Sequence, residues 1–375
     1  MERTQALEHF RERYVGNTVL DQLETLDRYF WQQKDDLRQA LQTNFVSLCQ
    51  KIMDRQTRDP KPVGFINLSL LRTSLLEENT VYRWDVYGQE WYGDTLDVGG
   101  CYHADWAFDY LKQAKVKLEV LRRPYMGAVI RQDVGVIMQQ ETIFFHAYVV
   151  ALLRYMLRGV EAIPEFQAVI KASTFYLCVG EYFDFCDIAY LAYTNPPNAN
   201  KIKRRLKEGD SAYKPMKETD FSQGDYSFSN LSFSDARGSD FDHGNLYSAQ
   251  CVGTDFRGCR LEGADLKHSN ISDADFSSCR LRQADLGWAE GGAGVDDEEG
   301  IKSFLGVNFR NSDLTDTFFT GADLRRADFR GATFHETDFQ DARLKEAIFY
   351  TKDKSQLDLT PEQIAEIHWV EEGQT

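Results

Sequence analysis

Few residues of this chain have the types and spacing that catalysis or metal binding requires. Cys101 and His103 could provide two metal ligands, but no second pair with the spacing of a zinc site accompanies them. Glu141 and His146 lie five residues apart in a predicted helix, so they fall on different faces. They therefore do not form the Glu-x-x-His pair of carboxylate-bridged metal sites. We expect no metal site.

The other reactive side chains form no recognisable catalytic motif. Glu181, Asp184 and Asp187 have helical spacing among aromatic residues, which fits either a buried acid–base cluster or the polar edge of a helix. Cys178 and Cys186 are eight residues apart, a spacing that suits neither a redox motif nor a ligand pair. The chain also lacks a phosphate-binding Gly-x-x-x-x-Gly-Lys loop and a Gly-x-Ser-x-Gly nucleophile elbow. We therefore expect no catalytic residues, no cofactor and no enzymatic activity.

The elements that would position these residues lie in residues 1–200, which contain no repeat. From Thr18 to Met53 apolar residues recur every three or four positions, which predicts one long amphipathic helix. A looser alternation predicts a β-hairpin near 63–90. Three further helices are predicted, over 103–122, 127–158 and 164–192. Residues 1–200 should therefore form a mainly helical domain with one hairpin, packed as a helical bundle.

A basic segment over 201–217 follows the first domain. The two prolines of Asn195–Asn198 should end the preceding helix. Its cations cluster at Lys201, Lys203, Arg204, Arg205 and Lys207. We interpret it as a linker, which is either a solvated connector or a contact for an acidic surface or anionic partner.

Over residues 218–350 the chain repeats itself every five residues, a period that fits neither a helix nor a strand. A large apolar residue occupies every fifth position, a small residue stands two positions earlier, and Asp or Asn usually lies between them. The predicted inward-facing residues include Phe221, Phe241, Phe256, Leu261, Leu266, Ile271, Phe276, Leu281, Leu324, Phe329 and Phe339. The pattern predicts a solenoid that turns a corner every five residues and is stable as a stacked array.

These units resemble the pentapeptide-repeat family, whose motif is Ala-(Asp/Asn)-Leu-x-x. Clear matches are Ala264-Asp265-Leu266, Ala274-Asp275-Phe276 and Ala322-Asp323-Leu324. The resemblance implies a right-handed quadrilateral β-helix with four units per coil. The 23 matching units would then make about six coils. Residues twenty positions apart should stack on one face.

Two segments depart from the repeat. The loop 287–302 is glycine-rich and acidic and shifts the register, either as an ordinary surface insertion or as a recognition loop. Its candidate interaction residues are Trp288, Asp296, Asp297, Glu298 and Glu299. Within the C-terminal segment 351–375, Thr360 can cap a helix from about 361, and Ile364 and Ile367 would form its apolar face. We expect this helix to cover the open end of the β-helix.

The negative charge is concentrated in the C-terminal part. Residues 217–375 hold 16 Lys and Arg against 31 Asp and Glu, a net charge of −15 out of −16 for the whole chain. This acidity argues against direct nucleic-acid binding by the solenoid and permits binding to a basic protein surface, unless it provides only solubility. Seven cysteines, no apolar run of membrane-spanning length and an N-terminus unlike a signal peptide lead us to expect a soluble cytoplasmic protein with no membrane partner.

Our leading functional prediction is a non-enzymatic protein–protein interaction scaffold or adaptor that uses the acidic β-helix and its loop. The partner would be another protein, with a homodimer through the C-terminal helix or the long N-terminal helix as a further option. The first alternative is a DNA-mimicking pentapeptide-repeat protein that protects or inhibits a topoisomerase. The chain shares an acidic solenoid and a loop with that branch of the family, but departs from it in the large helical domain. The second alternative is an N-terminal enzyme with the solenoid as its targeting arm.

Overall fold

The computed structural model describes residues 2–77, 79–208, 212–296 and 300–373. The chain divides into two compact units, Met1–Thr194 and Asn195–Thr375. We describe each unit by itself.

The first unit begins with an almost continuous helical stretch. Helix α1 (Arg3–Phe10), a π-helical turn (Arg11–Val15) and α2 (Gly16–Gln56) follow one another directly. The apolar face of α2 is buried, as its period of three to four residues predicts. The predicted long amphipathic helix is therefore confirmed. Two further helices, α3 (Asp105–Leu121) and α4 (Arg131–Leu157), pack against α2, and both were predicted.

A five-stranded mixed sheet forms the second layer of this unit, with strand order β3-β2-β1-β4-β5. Its strands are β1 (Val63–Leu70), β2 (Val81–Tyr87), β3 (Thr95–His103), β4 (Lys171–Glu181) and β5 (Cys186–Tyr193). The antiparallel pairing of β1 with β2 confirms the predicted hairpin. β1 also pairs with β4 in parallel, and α3 and α4 belong to the long connection that a parallel pair needs. Short 3-10 turns occupy Arg72–Glu77, Trp91–Gly93, Arg123–Tyr125 and Val160–Ala162.

The prediction of a helix over 164–192 is wrong. Only α5 (Pro164–Ala168) is helical there, and β4 and β5 take up most of the rest. Leu177 and Val179 lie on one face of the sheet and alternate with residues of the other face. β4 pairs with β1, which lies more than 100 residues earlier in the chain. Such long-range pairing overrides local apolar spacing, which does not distinguish a short strand from a helix. The unit is thus helical in large part, but a sheet replaces the single hairpin of the predicted bundle.

Helix α4 is long and apolar enough to cross a membrane by length and composition alone. This finding contradicts the expectation that no apolar run reaches that length. About half of its most apolar window, 56 %, is buried inside the protein. A buried core helix passes the same test.

The basic segment is not a linker throughout. Helix α6 (Ala199–Lys207) begins at Asn198, whose side chain accepts a hydrogen bond from the Lys201 backbone N–H over 2.9 Å. Ile202 and Leu206 are both 1 % exposed within the apolar core of the second unit. These two residues lie on one face of the helix. The pair is hard to recognise in the sequence because Lys and Arg residues surround it.

The second unit is a solenoid. β-bridges join residues twenty positions apart, such as Asp220 to Asp240 and Asp265 to Asp285, so four five-residue units complete one turn. Every predicted inward-facing residue named above is at most 1 % exposed. Five phenylalanines stack along one side with ring centroids 4.7, 5.3, 5.1 and 4.5 Å apart, namely Phe256, Phe276, Phe309, Phe329 and Phe349. Each turn of the chain thus buries its apolar side chains against the turns above and below.

An insertion interrupts the solenoid after Ala293, whose backbone N–H still donates to the carbonyl oxygen of Arg325. The bridge partner of Asp275 is Asn308, thirty-three rather than twenty positions away. The extra residues include an antiparallel pair, β6 (Gly294–Asp296) and β7 (Gly300–Ser303). Asp273 fixes the return of the chain, because its Oδ1 accepts hydrogen bonds from the Leu305 backbone N–H (2.7 Å) and the Ser303 hydroxyl (2.8 Å).

The C-terminal segment contains β8 (Ile348–Tyr350), a 3-10 turn (Thr351–Gln356), α7 (Pro361–Glu366) and β9 (His368–Val370). Thr360 caps α7, and its hydroxyl accepts a hydrogen bond from the Gln363 backbone N–H over 3.2 Å. Ile367 is 6 % exposed against the solenoid core, whereas Ile364 is only half-buried. β9 pairs in parallel with β8 and so adds one more rung to the stack.

Candidate interaction surface

The structure does not assemble a catalytic site from the side chains considered first. Glu181 ends β4 and pairs with Arg72, while Asp184 lies in the following turn and Asp187 in β5, so the three form no helical cluster. Cys101 is exposed at a strand position and His103 contacts Asn79. All seven cysteines are free thiols. Cys178 of β4 and Cys186 of β5 do come together, with their side chains in hydrogen-bond contact.

Among the described residues, one group of three potential metal ligands comes together on the solenoid surface. Ligand atoms of Asp316, His335 and Glu336 lie within 4.8 Å of one another. The group joins two successive turns of the solenoid, since residues about twenty positions apart stack. Exposed acidic groups often approach in this way without binding an ion, so we assign no metal site here.

The surface that stands out is a column of aromatic side chains on one side of the solenoid. We call it the aromatic face and define it as Phe228, Tyr247, His268 and Trp288. Each follows an inward-facing residue by one or two positions, where the side chain points outward. The spacings of 19, 21 and 20 residues place them on successive turns, which explains why they align.

Three rings of the aromatic face, those of Phe228, Tyr247 and His268, contact one another in turn edge to face. Ring centroids of Phe228 and Tyr247 are 5.7 Å apart at an interplanar angle of 73°, and those of Tyr247 and His268 are 5.4 Å apart at 72°. Such T-shaped pairs are favourable for aromatic quadrupoles. Phe228 nevertheless remains 71 % exposed and Trp288 57 % exposed. The contacts therefore order the rings without covering them.

Trp288 is held in one orientation by the next turn of the solenoid. Its backbone N–H donates to the carbonyl oxygen of Thr320 over 2.9 Å. Its indole lies against Gly321, where an added Cβ would approach the ring to 2.8 Å, and Gly321 has a φ of +67°. Any larger residue at 321 would both strain the backbone and displace the indole. An exposed tryptophan is thus preorganised on a rigid support.

The predicted interaction residues do not form one group. Trp288 belongs to the solenoid wall, one unit before the insertion leaves it, whereas Asp296 lies in β6. Asp297, Glu298 and Glu299 lie outside the described residues. Sequence reasoning missed the other three rings because they occupy the variable positions of the repeat. Comparing variable positions about twenty residues apart would have found them.

Many aspartates of this unit form hydrogen bonds that stabilise the corners of the solenoid. Oδ1 of Asp255 accepts a hydrogen bond from the Arg257 backbone N–H over 3.2 Å, and Asp328 does the same for Arg330 over 3.1 Å. The guanidinium groups of the same arginines return to these carboxylates at 2.6 and 2.8 Å. Asp at this position therefore stabilises the turn, and part of its charge is neutralised locally.

A comparison with protein families identifies the same repeat. The family model "Pentapeptide repeats" matches residues 249–287 and 303–345 with eight copies. No curated protein matches the chain. Of the solved structures, that of QnrB1, a plasmid-mediated fluoroquinolone resistance protein, is 16 % identical with a TM-score of 0.29, covering 43 % of this chain and 87 % of QnrB1.

Two further solved structures are similar over the same share of the chain. A pentapeptide repeat protein from the thylakoid lumen of Arabidopsis thaliana is 20 % identical with a TM-score of 0.19, covering 40 % of this chain and 74 % of its own. HetL, a pentapeptide repeat protein involved in heterocyst differentiation regulation in the cyanobacterium Nostoc, is 21 % identical with a TM-score of 0.18, covering 38 % and 73 %. The C-terminal unit of this chain contains pentapeptide repeats, in two stretches separated by the insertion.

Proposed function

We propose that this protein is a non-enzymatic interaction scaffold whose repeat unit presents the aromatic face to a partner protein. The observation that carries the proposal is the exposure of Phe228 and Trp288 on a support that fixes their orientation. Large aromatic side chains held in place contribute most to binding hot spots, because little conformational entropy is lost when a partner covers them.

The charge of the repeat unit indicates the chemistry of the partner surface. The net charge of residues 217–375 is −15, and Asp265 and Asp285 lie on successive turns of the solenoid, with Lys267 paired to both carboxylates. We infer a partner with an apolar pocket for the rings and a basic rim around it. Complementary charge at the rim would accelerate association, and the buried rings would determine the lifetime of the complex.

The proposal extends to the shape and closure of the unit. We propose a right-handed, four-sided β-helix of about six coils, since residues twenty positions apart pair on both sides of the insertion. Its C-terminal end would be closed by α7 and β9. A rigid, closed solenoid of this kind suits the display of side chains better than it suits catalysis.

The test is a quantitative partner-capture experiment with immobilised wild-type protein and a Phe228→Ala/Trp288→Ala variant, followed by a direct affinity measurement on each captured protein. The control is Phe144→Ala, which removes an exposed aromatic residue from the first unit, where the ring is 44 % exposed. We expect the double variant to bind the specific partner at least about tenfold more weakly and the control to bind normally. Equal binding by wild type and double variant, with all melting temperatures unchanged, would contradict the proposal.

A DNA-mimicking topoisomerase inhibitor or protector remains the second candidate function. The net charge of −15 on residues 217–375 favours it. The corner aspartates weigh against it, because their carboxylates are engaged by the backbone and by arginines within the same unit.

A further inference from the structure

The five-stranded sheet of the first unit has two different faces. Side chains alternate along each strand, so residues of one face are Ile66, Leu68 and Trp84, all at most 1 % exposed. This face packs against helices, as shown by the hydrogen bond from the Trp84 indole to Asn44 of α2 (2.7 Å). The opposite face carries Phe65 and Asn67 of β1, Asp85 and Tyr87 of β2, and Tyr176 and Cys178 of β4.

Aromatic rings line this opposite face in a continuous stack. Phe65 lies parallel to Tyr176 on one side (4.8 Å, 7°) and to Trp91 on the other (4.6 Å, 4°). Tyr92 stacks on Trp91 at 5.0 Å and contacts Phe183 at 5.2 Å. Tyr92 is 39 % exposed and Phe183 is 65 % exposed, so the stack opens to solvent at this end.

Three polar side chains share one row beside the stack. Asn67 is paired in register with Asp85 on one neighbouring strand and with Cys178 on the other. Asn67 is 2 % exposed and Asp85 is 5 % exposed. Because directly opposite residues have Cβ atoms about 5 Å apart, the two side chains can reach a common point.

Three polar atoms of this face, one each on Asn67, Asp85 and Trp91, have no partner among the described residues. Oδ1 of Asn67, Oδ2 of Asp85 and the indole Nε1 of Trp91 are buried and make no hydrogen bond. The other Asp85 oxygen pairs with Arg83 at 2.8 Å, and the Asn67 amide N–H donates to the Tyr92 hydroxyl over 3.4 Å. Buried polar atoms without partners are uncommon because each costs desolvation free energy.

The carboxylate of Asp85 lies among aromatic rings with only one of its oxygens paired, and this arrangement lowers the stability of the folded protein. Burial raises the pKa of Asp85 above its usual range, and the charge of Arg83 only partly opposes this effect. The pattern is typical of a site that is completed by a ligand rather than by the protein. The missing partner must supply N–H donors to two acceptors, one of which is anionic.

We propose that this site, formed by Asn67, Asp85, Trp91, Tyr92 and Phe183, binds a small organic ammonium compound. Its ammonium group donates to Oδ2 of Asp85 and Oδ1 of Asn67 and lies against the exposed rings of Tyr92 and Phe183, because aromatic rings attract cations. An acceptor atom in the body of the ligand receives the Trp91 indole N–H. The exposed edges of Tyr92 and Phe183 mark the side from which the ligand enters. This inference is independent of the proposed role of the repeat unit.

Isothermal titration calorimetry on the full-length protein with three probes tests the proposal. Phenethylamine carries a ring and an N–H-donating cation, 2-phenylethanol carries the ring without the charge, and tetramethylammonium carries the charge without N–H donors. We expect phenethylamine to bind at least about tenfold more tightly than either comparison compound. Failure of phenethylamine to bind at 10 mM, or equal binding of 2-phenylethanol, would overturn the assignment.

Single substitutions test whether the amine binds at the proposed site. Asp85→Asn removes the charge and keeps the shape, and we expect it to weaken phenethylamine binding at least about tenfold while leaving the melting temperature equal or higher. Asp36→Asn removes an exposed carboxylate of α2 and serves as the matched control. Undiminished binding to Asp85→Asn, or an equal loss in Asp36→Asn, would show that the amine binds elsewhere.

Discussion

His146 lies inside the first unit with its ring parallel to that of Tyr82, at a centroid distance of 5.7 Å and an angle of 5°. The Tyr82 hydroxyl and Nδ1 of His146 are 2.6 Å apart in a hydrogen bond. Burial lowers the pKa of His146 and raises that of Tyr82. Both side chains are therefore neutral in the folded protein near pH 7, and this pair joins β2 to α4.

The buried histidine predicts an acid-sensitive fold. The unfolded chain binds a proton at His146 with a pKa near 6.5, whereas the folded protein binds it only at lower pH. The stabilising contribution is thus present above pH 6.5 and is lost as the pH falls below it, by about 1.4 kcal/mol for each unit of pKa difference. Denaturant unfolding from pH 7.5 to 5 should show this loss in the wild type and a flatter profile in His146→Gln.

The control for this prediction is His103→Gln, which changes an exposed histidine of the same unit. Its pH profile should follow that of the wild type. A wild-type unfolding free energy that stays constant between pH 7.5 and 5 would contradict the assignment of a neutral buried imidazole.

Individual residues also show why the aromatic face and the ammonium site were not predicted from the sequence. Trp288 was identified because tryptophan beside glycines is conspicuous, but Phe228 occupies a variable repeat position that the motif ignores. Asn67 and Asp85 are eighteen residues apart and become neighbours only through the register of β1 with β2. Their unpaired atoms depend on burial and on register, and neither is encoded in local spacing.

At the scale of elements, local sequence patterns predicted the structure correctly where one period dominates the sequence. The five-residue repeat specified which side chains face inward, because every unit makes the same contacts with its neighbours. It also showed that the register breaks between Leu286 and Phe309, but not that a β-hairpin fills the break. Over 164–192 the decisive contacts are with β1, so local apolarity predicted the wrong element.

The C-terminal segment gives a prediction at this scale. Gln363 donates from Nε2 to the carbonyl oxygens of Phe339 and Ala342, both at 2.9 Å, and Trp369 contacts Phe349 at 5.7 Å. Deleting residues 361–375 removes these contacts together with the β8–β9 rung. We expect a lower melting temperature of the repeat unit and concentration-dependent self-association, because the last strand edge and apolar end become exposed.

Calorimetry and sedimentation at several concentrations measure both effects. Deleting residues 371–375 is the matched control, since it leaves α7 and β9 intact. A 361–375 deletion that keeps the melting temperature and the solution mass of the wild type would show that this segment does not close the solenoid.

At the scale of the whole molecule, the charge distribution separates the two candidate functions. Residues 217–375 carry nearly all of the net negative charge, as a DNA mimic would require. Yet ion pairs such as those between Arg325 and Asp323 (2.8 Å) and between Arg326 and Glu346 (2.6 Å) neutralise part of it within the unit. Both candidate functions depend on the repeat unit. A functional assay on the complete protein must therefore distinguish electrostatic mimicry from binding through the aromatic face.

A supercoiling assay with a type II topoisomerase and titrated full-length protein makes this distinction. A DNA mimic should compete with duplex DNA for a basic groove, and its effect should weaken steeply with salt because exposed charges are screened within about 8 Å at physiological ionic strength. We instead expect topoisomerase activity to stay unchanged, and partner binding to tolerate salt while depending on Trp288. Trp288→Ala is informative in both arms, since it leaves the net charge unaltered and should affect only the scaffold function. Strong, salt-sensitive inhibition or protection by wild type and Trp288→Ala alike would replace the scaffold with the mimic as the function of this protein.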